Sequence, residues 1–324
     1  MIKKLNYLRR IFKAYLSREE SQLTFWHGTP EVNFDSVYDK IGPYYMPFSS
    51  KADYTAHLDE NGIPMLDYHG AVGLQYNPIA IAQFGLGNYN LFTKTGEPSR
   101  FDLFILAADW LVTNLEQNQQ GVWVWNHYFD WEYRDTLYSP WYSALSQGQG
   151  ISCLIRAHQE TGNENYLVAA NNAFDSFLVQ LDQGGVTYQD SDGYYWLEET
   201  IVDPPTHILN GFLWAMWGIY DYYIYTSDPR AKDMFDKGVK TLVANLPGYD
   251  TGFWSLYEIS GTRMFMLASP FYHQLHIVQL EVMHRITGID VFKQFKDQWQ
   301  RYRENILFRY YALIYKVIFK IFYY

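Results

Sequence analysis

Residues 143–182 read SALSQGQGISCLIRAHQETGNENYLVAANNAFDSFLVQLD, and this stretch decides the fold class. Apolar residues recur near every 3.6 positions on both sides of Thr161-Gly162-Asn163. The spacing predicts two helices, 143–161 and 164–182, with a helix-ending glycine and a helix-starting asparagine between them. So short a connection sends the second helix back along the first. The same unit recurs outward. Helices are predicted at 78–92, 101–117, 205–226, 229–245, 271–287 and 290–303, as in Phe101, Phe104, Ile105, Ala108, Leu111 and Val112. Ser227-Asp228-Pro229 and Thr287-Gly288-Ile289-Asp290 are further breaks of the same kind.

Connections inside a pair are short, whereas those between pairs, 118–142, 183–204 and 247–270, are long. Pairs start near 143, 205 and 271, a repeat of about 65 residues. The chain is therefore expected to be mainly α, an α/α toroid, that is, an incomplete barrel of antiparallel helix pairs. The alternation puts every long loop at one end. Those loops carry Gly, Asp, Tyr and Trp, as in GVWVWNHYFDWEYRDTLYSPWYS, GGVTYQDSDGYYWLEETIVDPPTH and GYDTGFWSLYEISGTRMFMLASPFYH. Long loops gathered on a rigid scaffold are where sites form.

Four segments are expected: a basic amphipathic tail over 1–17, an irregular stretch with short hairpins over 18–75, the helical catalytic domain over 76–304 and an apolar, basic helix over 305–324. Asp59-Glu60-Asn61-Gly62 reads as a hairpin turn with Asn-Gly as its central pair. The tails stand out in charge. The 324 residues carry 35 acids and 25 bases, but residues 1–17 hold five bases and no acid, and 299–324 hold five bases against Glu304. The remaining body has a net charge of −19. Leu5, Leu8, Phe12, Tyr15 and Leu16 recur at helical spacing, and Arg309, Lys316 and Lys320 fall on one stripe of the other tail. Helices lying in a membrane interface fit these patterns better than a spanning helix does. The alternative is that the tails pack on the body or on a second copy of the chain, as in a homodimer.

The acidic balance argues against nucleic acid as a partner. A single cysteine, Cys153, excludes a disulfide scaffold and a multi-thiolate zinc site, and suits a reducing compartment. The N-terminus lacks the continuous apolar core of a secretory signal, so a cytoplasmic protein, peripheral at the membrane face, is expected. Thirty Tyr, 21 Phe and 11 Trp are many; they serve either a tyrosine-rich core or clefts where sugar rings stack on aromatic planes. No nucleotide-binding glycine motif, zinc-protease motif or nucleophile elbow is present, and no cofactor is implied.

Trp196-Leu197-Glu198-Glu199 sets two carboxylates side by side among aromatics. Burial of one lifts its pKa from a reference near 4.3 towards a usable base. The bland alternative is a solvated acidic pair. Tyr257, Arg263 and Tyr272 lie in the third loop; Arg clamps carboxylates, and a nearby cation favours a phenol's ionisation. His273 and His276, three apart, share a helix face and suit hydrogen bonding or packing; a metal would need a third ligand that the sequence does not offer. A carboxylate, two phenols and an arginine suit proton removal from a carbon beside a substrate carboxylate. Glycoside hydrolysis would need a second, opposed carboxylate, for which Asp130, Glu132 and Asp135 are candidates.

Ser139-Pro-Trp-Tyr-Ser-Ala-Leu-Ser-Gln-Gly-Gln-Gly-Ile-Ser152 resembles the W-Y-S-A-x-x-Q-G-Q-x-I-S segment of the D-glucuronyl C5-epimerases, which make iduronate in heparin and heparan sulfate. Asn77-Pro-Ile-Ala-Ile-Ala-Gln-Phe-Gly-Leu-Gly-Asn-Tyr89, Ile208-Leu-Asn-Gly-Phe212, Leu246-Pro-Gly-Tyr-Asp-Thr-Gly252, Arg263-Met-Phe-Met-Leu267 and Pro270-Phe-Tyr-His-Gln-Leu-His-Ile-Val-Gln-Leu280 are similar to further family motifs, in order, over about 70–303.

The resemblance implies C5 inversion in a glucuronate polymer such as heparosan, with Glu199, Tyr257 and Tyr272 catalytic and Arg263 binding the substrate carboxylate. Trp196, His273, His276, Trp141, Tyr142, Gln147, Asn210 and Tyr249 are carried as substrate-binding candidates, with Arg134 and Arg156 as further cations for the polymer. A uronate lyase or hydrolase on the same scaffold, or a non-catalytic polysaccharide-binding protein, is the alternative. The sequence departs from the animal enzymes in three places: FTKTGEPSRF stands where they carry a β-barrel, Thr200 stands where they have Tyr, and about three extra residues separate Tyr257 from Arg263.

Overall fold

The computed structural model describes residues 28–323 apart from 134, 262 and 263, with side chains described up to 319. The tail over 1–17, Arg134 and Arg263 therefore lie outside the described residues. The described chain divides into two compact units, Val32–His207 with Gly211–Leu242, and residues 28–31 with Ile208–Asn210 and the residues from Val243 onward.

In the larger unit, α1 (Ser49–Ala52) and hairpin β1–β2 (Met65–Asp67, Leu74–Tyr76) precede α2 (Pro78–Thr95) and α3 (Pro98–Thr113). Two small hairpins follow, β3–β4 (Glu116–Gln117, Trp123–Val124) and β5–β6 (Trp131–Glu132, Thr136–Leu137). Then come α4 (Ala144–Thr161), α5 (Glu164–Asp175), hairpin β7–β8 (Thr187–Gln189, Tyr195–Leu197), α6 (Leu209–Thr226), which belongs to this unit from Gly211, and α7 (Pro229–Asn245), which belongs to it up to Leu242. The smaller unit holds α8 (Pro270–Thr287), α9 (Asp290–Glu304) and α10 (Ile306–Tyr323). The chain is mainly α, as its periodicity predicts.

The local reasons are those read from the sequence. Asn77 caps α2 by accepting from the Ile79 and Ala80 amides, and Ser143 caps α4 through the Ser146 amide. Gly162, with φ 68°, closes α4 by donating to the His158 carbonyl. Within pairs the helices run antiparallel: Tyr89 meets Phe104 while Phe92 meets Phe101, and Tyr220 meets Phe235. The first helices of successive pairs run parallel instead. Gln83 donates to Gln149 while Tyr89 donates to Glu160, so α2 and α4 advance together. In α4 and α6, Gly148 faces Ala215 and Arg156 faces Asp221. A row of parallel first helices puts the loops before α2, α4 and α6 at one end of this unit. This is the expected toroid arrangement.

Several boundaries differ from expectation, each for a visible reason. α5 stops at Asp175 instead of running to 182, because the Ser176 hydroxyl turns back onto the Ala173 carbonyl and Gln147 also donates to both. α6 starts at Leu209 rather than 205, because His207 adopts φ 53°, outside helical space. The turn at 59–62 closes on a Gly62 amide to Asp59 carbonyl bond, so Glu60 and Asn61 are central and Gly62, at φ 89°, follows as the left-handed residue. Where animal epimerases are expected to carry a barrel, α2 and α3 join through a tight turn at Gly96.

Arg156 is not a substrate cation. It is 1% exposed and paired with fully buried Asp221 at 2.6 Å. It also donates to the Gly42 and Ser152 carbonyls and lies 5.1 Å from the Tyr44 ring. Tyr45 completes the group by donating to Asp221 at 2.7 Å, and burial pushes both tyrosine pKa values up. The segment around Gly42–Tyr45 is thereby fastened to α4 and α6.

Of the three bases expected on one stripe of the terminal helix α10, the side chain of Lys320 lies outside the described residues. Lys316 turns inward to donate to the Leu267 carbonyl, while Leu307 (72% exposed), Tyr311, Ile314 and Ile318 form the outward stripe. Among the described residues no helix is long and apolar enough to cross a membrane.

Replacing Asp221 by Ala is expected to lower the unfolding free energy by about 3–5 kcal/mol, because it strands a buried guanidinium. Urea denaturation measures this; a loss below about 1 kcal/mol would show that the pair is not a stabilising anchor.

Candidate active site

Glu198 and Glu199 follow strand β8, and the structure separates their roles. Glu198 is fully buried. One of its oxygens lies 2.5 Å from Nδ1 of His207, and the other accepts from the His207 amide at 3.0 Å. Its amide donates to the Val186 carbonyl, and its own carbonyl accepts from the Ala144 amide. Glu199 is half-buried, the one of the two whose side chain reaches the surface. Its carboxylate lies over Gly211 on α6: a Cβ there would stand 2.3 Å from Glu199 Oε2. A glycine at 211 is thus a packing requirement of Glu199. Just beyond, the Thr200 and Thr206 hydroxyls meet at 2.9 Å.

Trp196 is buried rather than open to a sugar ring. Its indole donates to Asp190 at 2.8 Å, and its face stacks on His207 at 4.0 Å. It supports the carboxylate loop from beneath.

The phenols lie in the smaller unit. Tyr257 follows a short antiparallel contact in which Leu256 pairs with Leu267 and the Tyr257 amide donates to the Met266 carbonyl. The Tyr257 carbonyl accepts from the Leu209 amide. Tyr272 sits in the first turn of α8, where its amide donates to the Ser269 hydroxyl. The structure brings these two predicted residues together: their rings are 4.8 Å apart at 63°, and both are half-buried.

Beneath them lies a buried network. His273 Nε2 faces the Trp299 carbonyl at 3.0 Å, so that nitrogen carries the proton and Nδ1 accepts. Nδ1 receives the Ser255 amide at 3.2 Å and lies 2.8 Å from the Ser255 hydroxyl. The same hydroxyl is 3.0 Å from Nδ1 of His276. Trp254 stacks on His273 at 3.9 Å. Burial pushes the His273 pKa down to about 3 and that of His276 well below its usual value. Both rings are therefore neutral supports, not substrate contacts. Among the described residues no group of three or more His, Cys, Asp or Glu could hold a metal.

The other binding candidates make contacts within the fold, with Trp141 and Tyr142 half-buried and Gln147, Asn210 and Tyr249 buried. Gln147 is fully buried; it accepts from the Trp125 amide and donates to Trp123, Ala173 and Ser176. Trp141 stacks on His127 at 3.8 Å and donates to the Phe129 carbonyl, and Tyr142 donates to the Gly184 carbonyl. Asn210 and Tyr249 are buried, their carbonyls accepting from Gln279 and from the Leu256 amide. Asp130, proposed for hydrolysis, accepts from the Ser139 amide. Cys153 is buried, and burial pushes its thiol up to about 12, so it is no nucleophile.

Sequence reasoning missed His207, Ser255 and Glu258. Glu258 is buried next to Tyr257, and burial raises its carboxyl above the ordinary value against the pull of Ser260 and Lys316. The one available signal was their place in the long aromatic loops.

Three buried histidines, His127, His273 and His276, have folded-state pKa values pushed below the unfolded value of 6.5 by burial. Below about 6.5 the unfolded chain takes up protons that the folded chain refuses, so stability is complete at neutral pH and declines as pH falls through 6. Chemical denaturation at pH 7.5 and 5 should show this loss, and His276→Gln should shrink it; equal stability at both values would rule the effect out.

The pattern of the family described as D-glucuronyl C5-epimerase C-terminus matches residues 117–301, more than half of the chain. A D-glucuronyl C5-epimerase of Caenorhabditis elegans is 33% identical over 215 residues, covering 61% of this chain and 34% of that protein. An uncharacterised protein of Methanocaldococcus jannaschii is 29% identical over 202 residues, covering 61% and 64%. The chain thus spans about a third of the first relative and under two thirds of the second. Among solved structures, an unsaturated glucuronyl hydrolase from Bacillus sp. GL1 is 14% identical with a TM-score of 0.46, covering 66% of this chain and 60% of that one. A family 76 mannosidase from Bacteroides thetaiotaomicron is 13% identical with a TM-score of 0.47, covering 73% and 61%. The matched region contains the carboxylate loop, both tyrosines and the histidine network, and on that match the chain belongs to the D-glucuronyl C5-epimerase C-terminal family.

Proposed function

We propose that the protein inverts C5 of D-glucuronate residues in a heparosan-like polymer, giving L-iduronate. The observation that carries this reading is Glu199: a half-buried carboxylate seated over Gly211 on a fastened loop, as a fixed base requires. Glu199 takes the C5 proton, and the electron pair of the C–H bond passes into the substrate carboxylate as an enolate-like anion. The Tyr272 phenol gives a proton to the opposite face, which inverts the centre. Water restores both groups. No glycosidic bond breaks, and nothing is oxidised or reduced. Tyr257, 4.8 Å from Tyr272 ring to ring, assists the second transfer. Arg263 binds the substrate carboxylate and offsets its growing charge.

Heparosan and N-sulfated heparosan incubated in D₂O should gain deuterium at C5 and show iduronate signals by NMR. Glu199→Gln and Tyr272→Phe should each slow this about 100-fold or more while the fold stays intact. Wild-type turnover in either variant removes that residue from the reaction. An unsaturated, ultraviolet-absorbing product would identify a lyase instead.

The outward apolar stripe of α10, with Tyr310 and Tyr311 in it, supports a peripheral place at the cytoplasmic face of a membrane. Removing residues 305–324 should abolish co-sedimentation with phosphatidylglycerol vesicles. Undiminished sedimentation would exclude α10 as the contact.

A further inference from the structure

We propose that His207, through Glu198, is the positioning residue for Glu199; the inference rests on the role of Glu199 proposed above. Residues 198–207 form a loop closed twice at its neck. The outer closure joins Glu198 to both the imidazole and the amide of His207, at 2.5 and 3.0 Å. The inner closure is the Thr200–Thr206 hydroxyl contact at 2.9 Å. Glu199 is the single residue between the clamped Glu198 and Thr200.

The chemistry of the outer closure is demanding. Glu198 has no exposed surface, while the His207 side chain keeps 15%. A buried carboxylate is tolerated where donors meet its oxygens. His207 supplies two donors from one residue, and it does so at φ 53°, a backbone conformation that a non-glycine residue holds only at a cost. Trp196 fixes the ring plane from one face at 4.0 Å. With Nδ1 directed at Glu198, the imidazole's orientation is set on every side that matters for the loop.

Loss of the imidazole leaves one Glu198 oxygen without its donor in a buried place. That oxygen then seeks water, and the peptide joining Glu198 to Glu199 moves with it. A shift of about an ångström in a catalytic group costs on the order of 100-fold in rate.

Two variants separate the side chain from the backbone. His207→Gly accepts the positive φ and removes the donor. His207→Asn also tolerates this φ and restores a side-chain N–H at similar reach. In the full-length protein, His207→Gly should lower kcat for C5 deuterium exchange about 100-fold with KM within about twofold. Amide hydrogen exchange over 198–207 should rise in the same variant. His207→Asn should restore most of kcat and the native amide protection. A native kcat in His207→Gly overturns the proposal. So does an inactive His207→Asn with native amide protection, because the imidazole would then be carrying protons itself. If the wild type exchanges no deuterium in any glucuronate polymer, the epimerase reading fails separately; the clamp is still decided by amide exchange, and unchanged protection in His207→Gly overturns it.

Discussion

Helices α4 and α6 meet with no side chain between them, and the larger unit depends on that contact. A Cβ at Gly148 would stand 2.6 Å from the Ala215 Cα, and one at Gly218 would stand 2.2 Å from the Gly148 carbonyl oxygen. Backbone against backbone leaves no freedom in depth or register. Two turns further along, the same register sets Arg156 against Asp221. An ion pair with no solvent around it is favourable only if its geometry is met and its remaining valences are filled. The glycine contact provides the first condition; Gly42, Ser152 and Tyr45 provide the second.

The consequence at the loop end is the seat of Glu199. Gly211 lies two turns before Gly218 on the same helix, so the surface it offers to Glu199 is fixed by the same crossing. The Ala144 amide, at the start of α4, accepts no freedom either, because it donates to the Glu198 carbonyl. The two helices that touch at Gly148 and Gly218 thus each hold one side of the acidic dipeptide. Scaffold rigidity becomes site rigidity through these short links, without a long hydrogen-bond chain.

The helices were legible because their signals are local. Apolar spacing, Asn77 and Ser143 as caps, and glycines at 162 and 288 each act within a few residues. The alternation of short and long connections carried the pairing, and from it the gathering of loops. What stayed hidden depends on partners far apart in the chain. Nothing near Arg156 announces Asp221, 65 residues away, so a core cation looked like a ligand for an anionic polymer. The spacing of His273 and His276 showed a shared face but not that Ser255 fills the gap between them. The aromatic abundance divides similarly: Trp141, Trp196 and Trp254 each stack on a histidine within the fold, at 3.8, 4.0 and 3.9 Å. These three tryptophans thus brace the loops from within.

Adjacent glutamates pose a choice that local sequence leaves open, and burial resolves its physical side. Val186 and Ala144 hold Glu198 from either side of its backbone, and its side chain points into the protein, where His207 meets both of its oxygens. The Glu199 side chain lies instead over Gly211 and is half-buried. A carboxylate with no exposed surface does not reach a substrate proton, whereas its neighbour is half-exposed on a backbone that the buried one helps to fix. The pair works as anchor and tool: the buried glutamate ties the loop to His207, and the half-exposed one is held over Gly211.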